Sequence, residues 1–194
     1  MHLKSERDIT QIISKDQWMM DILKAAKQLD LSDWWICAGF IRSKIWDVLH
    51  DFKERTVISD IDVIYFDKKI MVEAEEKKLE KVLHEILPEI PWSVKNEARM
   101  HVQNNLNPYL NAEDAIAKFP ETVTASAVRL DNNGQLELTA PHGVKDVVNM
   151  IVRPTPFFSN SRLLMDIYHE RIKAKDWGKH WYLLRYSDLK ESPF

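Results

Sequence analysis

The chain has 194 residues, 45% of them apolar and 29% charged, and its 27 Lys and Arg against 30 Asp and Glu leave a net charge of -3. With only 4 Gly and 8 Pro, this mix excludes collagen-like and low-complexity chains. It gives no general nucleic-acid-binding surface, although a local basic pocket remains open. The single cysteine, Cys37, excludes an internal disulfide framework and any multi-cysteine zinc site. Embedded in WWICAGF, it reads as a small buried hydrophobe rather than a nucleophile.

The length predicts one domain over 1–194, large enough to bury about 70% of its unfolded surface without metal or disulfide staples. The N-terminus, MHLKSERDIT, has no apolar core of a signal peptide. The longest apolar stretch, Trp34 to Ile41, is far short of the ~20 residues a membrane helix needs. A soluble cytoplasmic protein is the expectation.

Ser14 and Gln17 read as a capping box opening an N-terminal helix over 14–29, with Trp18, Ile22, Ala26 and Leu29 on one stripe. Trp34 to Ala38 then reads as a short apolar strand ended by Gly39, and Phe40 to His50 returns to helical spacing. A charged loop, Asp51 to Thr56, precedes the clearest strand, Val57 to Phe66. Lys68 to Leu87 is predicted as an amphipathic helix, its EAEEKKLEK face solvated, and Pro88 and Pro91 stop it.

Trp92 to His101 alternates as a strand, with Lys95, Glu97, Arg99 and His101 on its polar face. A short helix capped by Asn111 follows, then a hairpin of Thr122–Leu130 and Gln135–Thr139 around the Asn-Gly of Asp131 to Gly134. A short helix reaches Met150, another spans Ser161 to Lys175, and an aromatic, basic tail closes the chain. The order predicts an α/β (α+β) domain around one mixed sheet, with a core over about 31–153 and a helical tail over about 160–194.

Two features carry chemistry. Asp60-Ile61-Asp62 places two carboxylates at i, i+2 of a strand, on one face and about 7 Å apart, a spacing that can hold divalent cations. A polar strand face meeting water is the bland alternative. Before it, strand WWICA runs through Gly39 straight into a helix, so a backbone free of a Cβ and a helix N-terminus could receive a phosphate. Arg42 lies in that first turn, where a cation is unfavourable to the helix dipole unless an anion binds nearby.

Together, AGFIRS and SDIDVIYFD resemble the layout of the DNA polymerase β-like nucleotidyltransferase superfamily, the turn being closer to the G-x-x-R form of tRNA nucleotidyltransferases. More narrowly, WICAGFIRSKIWD, SDIDVIYFD, VKNEARMH and APHGVKDV look like a family of small bacterial nucleotidyltransferase-like proteins. The resemblance implies that fold, with an NTP on the turn of Gly39, Phe40 and Arg42. Arg99 is then expected to join Arg42 in lining the cleft, because a triphosphate needs cations beyond any metal. It also implies Mg²⁺ or Mn²⁺ held by Asp60 and Asp62, and an unidentified hydroxyl acceptor. Phe40 stands where a Ser or second Gly is usual, so only its backbone N–H is available. The family's third carboxylate falls to Glu97, with Asp146 as a second candidate or a capping residue. A non-catalytic nucleotide-binding module is the alternative, and an α/β scaffold the next. Trp177 and Trp181 read as tail packing, and His101 as a possible phosphate contact.

Overall fold

The computed structural model describes residues 3–103 and 106–187. A five-stranded mixed sheet in the order β3-β2-β1-β4-β5 forms its centre. Its strands are β1 (Trp35–Cys37), β2 (Ile61–Tyr65), β3 (Trp92–Asn96), β4 (Ala127–Leu130) and β5 (Leu136–Thr139). Within this sheet only β2 and β3 run parallel; β1 pairs antiparallel with both β2 and β4. The hairpin β4–β5 turns through Gly134 at φ 78°, the left-handed conformation that the Asn-Gly sequence predicted.

Ile36, Ile61 and Val63 point to one face of the sheet, against Phe40, Ile41, Ile45 and Trp46 of helix α3 (Gly39–Leu49). The opposite face is smaller: Trp35, Cys37, Ile64 and Ala127 pack on Ala112 and Ile116 of helix α6 (Ala112–Ala117). Because side chains alternate along a strand, Asp62 belongs to this second face with Ile64. That is what keeps a carboxylate out of the main core.

The N-terminal region holds two helices rather than one. Helix α1 (Glu6–Ser14) has the capping box, at Ser5 and Asp8, and α2 (Gln17–Lys27) is capped by the Asp16 side chain on the amide of Met19. Ser14 ends the first helix instead of opening the second. Asp16 also binds Lys44 and Arg55, both at 2.7 Å, so the cap ties α2 to α3 and to the loop before β2.

The largest correction is at β3. The strand stops at Asn96 and helix α5 (Glu97–Gln103) begins at once, so Glu97, Arg99 and His101 are helical. Asn96 explains the switch. Its Oδ1 accepts the amides of Asp67 and Ala98, and its Nδ2 donates to the carbonyls of Asp67 and Ile70. It thus caps α5 and ties down the turn after β2. Helix α4 (Glu73–Ile86) is correspondingly shorter than predicted.

Past β5 lie α7 (Lys145–Val148), the two-residue β6 (Ile151–Val152), α8 (Pro156–Ser159) and α9 (Arg162–Lys175). The tail forms a 3₁₀ turn at Trp177–Lys179 and strand β7 (Arg185–Tyr186), which pairs parallel with β6. Trp177 and Trp181 are buried edge-on against Trp46 of α3. Among the described residues, no helix is long and apolar enough to cross a membrane.

Candidate active site

A cleft of about 350 Å³ opens where β1 turns into α3. It is lined by Gly39, Arg42, Asp60 and Asp62, by Thr56 to Ser59, and by Arg171, Lys175, Trp177, His180 and Trp181 from the C-terminal elements. Asp60 and Asp62 therefore open into the same space as the Gly39 turn.

The turn itself differs from the sequence reading in one respect. Ala38, not Gly39, takes the left-handed conformation, at φ 55° and ψ -116°. A non-glycine residue held there costs of order 1–3 kcal/mol, strain of the kind that gathers at functional turns. Gly39 is the first helical residue, and a Cβ on it would meet only ordinary contacts, at 3.7 Å from Arg42 and Ile58. The Ala38 carbonyl accepts the amides of Ile41 and Arg42, and no side chain caps α3. The amides of Gly39 and Phe40 are thus the orphan donors of the first turn, available to an anion. The Phe40 ring is buried in the core, 6.0 Å from Trp18.

Arg42 is 9% exposed. Its guanidinium carbon lies 4.3 Å from the ring centroid of Trp177, 5.2 Å from Trp46 and 5.5 Å from Trp181. Its Nη2 donates to Ser43 Oγ at 3.3 Å, while its Nε is buried without a partner. No carboxylate pairs with it among the described residues. Burial, joined by the like charge of Arg171 and opposed by that of Glu121, pulls its pKa down to about 10, so it stays charged at neutral pH. A buried cation without a counter-ion is expensive unless something anionic completes its surroundings.

The carboxylates are set against it. Burial, and then the neighbouring Asp60 charge, push Asp62 up to about 6. Glu97 is 7% exposed, and burial followed by the charge of Asp62 raises it to about 7. Glu97 reaches the neighbourhood of Asp62 from the first turn of α5, not from a strand face. Cys37 Sγ sits 3.7 Å from the Asp62 carbonyl, and burial with these carboxylates drives its thiol well up, so it is an inert neutral wall.

The other residues of interest lie elsewhere. Arg99 binds the fully buried Glu76 of α4 through Nε at 3.0 Å and Nη2 at 2.8 Å, and does not line the cleft. Asp146 neither caps α7 nor reaches the cleft; it accepts from Thr122 Oγ1 at 2.7 Å and pairs with Arg153 at 3.1 Å. His101 stands edge-on to Tyr109, outside the cleft lining.

Three cleft features escaped the sequence reading. Arg171 and Lys175 are one: their i, i+4 spacing in a helix puts two cations on one face, and this signal was available. The loop between α3 and β2 is another. It forms a cleft wall and is anchored by Asp47, which accepts from Thr56 N at 2.9 Å and Thr56 Oγ1 at 2.6 Å. The third is the tail. Trp181 Nε1 donates to the same Asp47 at 2.9 Å, so one buried carboxylate fixes both the loop and the aromatic cage of Arg42.

Residues 24–186 match the model of a nucleotidyltransferase family. The chain belongs to that family. This nucleotidyltransferase is also similar, at 35% identity and a TM-score of 0.86, to a protein whose NMR structure reveals a CCA-adding enzyme head domain. That match covers 95% of this chain and 97% of the other. The polymerase β-like nucleotidyltransferase fold is thereby established.

At 13% identity, the chain shares the fold of the Thermotoga maritima CCA-adding enzyme complexed with tRNA, with a TM-score of 0.56 over 96% of this chain and 43% of that one. A CCA-adding enzyme in complex with ATP gives a TM-score of 0.52 at 13% identity, over 90% of this chain and 40% of that one. The nucleotidyltransferase thus spans about two fifths of those enzymes. A comparison with curated proteins found no match.

Proposed function

We propose that the nucleotidyltransferase transfers a nucleoside monophosphate from an NTP to a hydroxyl acceptor, and that the transfer depends on a divalent metal. The observation that carries this reading is Arg42, a buried cation with no carboxylate partner, caged by three indoles at the mouth of an uncapped helix. The triphosphate supplies the missing anion. Its oxygens take the orphan amides of Gly39 and Phe40, with Arg42 and Lys175 beside them.

Asp60 and Asp62 would hold Mg²⁺ or Mn²⁺. Among the described residues, no cluster of three or more His, Cys, Asp or Glu is placed to hold a metal. That fits Mg²⁺, which is bound through one or two carboxylates together with substrate phosphates rather than in an all-protein cage. The raised pKa of Asp62, due first to burial and then to Asp60, supports the same fit, since a cation would offset both the desolvation and the repulsion. When bound, the metal supplies charge neutralisation on the phosphate oxygens.

The acceptor oxygen forms its bond to the α-phosphorus in line as the bond from that phosphorus to the bridging oxygen breaks. Pyrophosphate leaves with the electron pair, and the hydroxyl proton passes to Glu97, whose pKa of about 7 suits a base at neutral pH. Arg99 has no part in this reading because Glu76 occupies its guanidinium. Prolonged incubation with ATP and Mg²⁺ lets water stand in for the acceptor. AMP and pyrophosphate are expected, with both lost in Asp60→Asn; ADP and phosphate would place the attack on the wrong phosphorus and overturn the reading.

A further inference from the structure

A second cavity, of about 500 Å³, adjoins the cleft, and Arg171 lines both. Its walls come from α5, α8, α9 and the segments on either side of α6, and are mostly apolar: Met100, Tyr109, Phe119, Phe158 and Leu164. Glu97, the buried carboxylate next to Asp62, is part of its lining. We propose that this cavity receives the acceptor, and that the acceptor is a small molecule with a hydroxyl on an aromatic or aliphatic body. This inference rests on the reading above, since it places the nucleophile of that reaction.

Position and chemistry support it independently. In-line displacement brings the acceptor from the side opposite the leaving pyrophosphate. The cations that would hold pyrophosphate line the first cleft, and Glu97 marks the other end of the carboxylate group. A hydroxyl entering from the second cavity meets Glu97 before it meets the α-phosphorus. The volume lies within the range of small-molecule pockets, which are apolar with few polar groups that fix orientation.

The charges around the cavity argue against a nucleic-acid end. Lys118 is paired with Asp114 at 2.8 Å, and Arg171 with the fully buried Glu121 at 2.6 Å. Both cations of the lining are therefore already neutralised, leaving little to hold a phosphodiester backbone, whose affinity is mostly phosphate contact. The apolar walls instead favour a body that gains by leaving water.

The test uses the full chain labelled with ¹³C at its methionine methyls, the Met100 signal assigned from Met100→Leu. Indole-3-ethanol is the probe, and glycerol the polar control. A saturable shift of Met100 with indole-3-ethanol and none with glycerol is expected, the shift persisting when ATP and Mg²⁺ are bound. Leu164→Trp, which fills the cavity, should lose the shift while its melting transition shows it folded. No Met100 shift with indole-3-ethanol, while ATP and Mg²⁺ still raise the melting temperature, overturns the acceptor site and leaves the reaction standing. A shift caused by ATP alone and competing with the probe makes this the nucleobase pocket, and the proposal fails. A larger shift with a short RNA bearing a 3′-hydroxyl defeats it in favour of a polynucleotide acceptor. Absence of any ATP effect removes the underlying reaction instead.

Discussion

The guanidinium of Arg42 lies 4.3 Å from the centre of the Trp177 ring, joining the first helix after the sheet's central strand to a tail 135 residues further along the chain. Such a contact is worth about 0.5–2 kcal/mol. It does not neutralise the charge, so the cage holds a cation ready for an anion. Arg42→Met keeps most of the side-chain volume and removes the buried charge. Its stability should stay within about 1 kcal/mol of the parent, because loss of the ring contacts offsets relief of desolvation. Its affinity for ATP should fall by about 10–100-fold, the loss of charge-assisted hydrogen bonds worth ~1.5–3 kcal/mol. Calorimetric titration beside urea denaturation checks both, and an unchanged affinity would make Arg42 purely structural.

Arg99 should behave in the opposite way. Glu76 is fully buried and held by two nitrogens of Arg99, with Lys95 a more distant partner at 3.7 Å. Arg99→Ala leaves that carboxylate short of its main counter-ion, a change expected to cost about 3 kcal/mol. ATP affinity of the folded protein should not move. A stable Arg99→Ala with weakened ATP binding would return this residue to the nucleotide site.

The metal-free protein should lose stability as pH rises through the acidic range. Glu97 has an ordinary pKa of 4.5 and a folded one of about 7. Below the lower value both states are protonated and no penalty exists. Between the two, the unfolded chain ionises while the folded one holds its proton, so stability falls with pH and levels off above the folded value. The deficit is on the order of 3 kcal/mol. Asp62 acts with the same sign between 3.8 and about 6. Urea denaturation at about pH 5 and about pH 8 should therefore show a drop that Glu97→Gln reduces and that Asp62 alone maintains in part. An equal drop in the variant would mean that Glu97 ionises freely in the folded protein.

Much of this architecture was legible because its signals are local. The strand that carries Asp62, the strand-Gly-helix turn and the Asn-Gly hairpin each declare themselves within a few residues, although the strand begins only at Ile61 and Asp60 lies just before it. The errors have local causes as well. At Asn96 the pattern changes period, and apolar Ala98 and Met100 fit a strand's alternation as well as the first turn of a helix. Only the capping chemistry of Asn96 separates the two. Helix α1 was readable from Ser5-x-x-Asp8 and from Ile9, Ile12 and Ile13 at helical spacing.

The rest of the site was not legible in this way. The positive φ of Ala38 is imposed by its surroundings, since alanine itself disfavours it. The tail's two-residue strand and 3₁₀ turn exist only through docking on β6 and α3, so the indoles read as packing are also the wall of the cleft. Long-range pairing of this kind leaves no short-range pattern.

The most direct test of the account is the melting temperature in the presence of each NTP, with and without Mg²⁺, for the parent and for Asp60→Asn. A site that binds nucleotide through metal stabilises the native state by RT ln(1 + [L]/Kd), about 2.7 kcal/mol at a hundredfold excess over Kd. The parent should be stabilised by NTP only when Mg²⁺ is present. Asp60→Asn should melt at or above the ligand-free parent, since it removes a charge that repels Asp62, and should show no metal-dependent shift. A destabilised Asp60→Asn that still gains from NTP and Mg²⁺, or a parent indifferent to every nucleotide, would contradict the account.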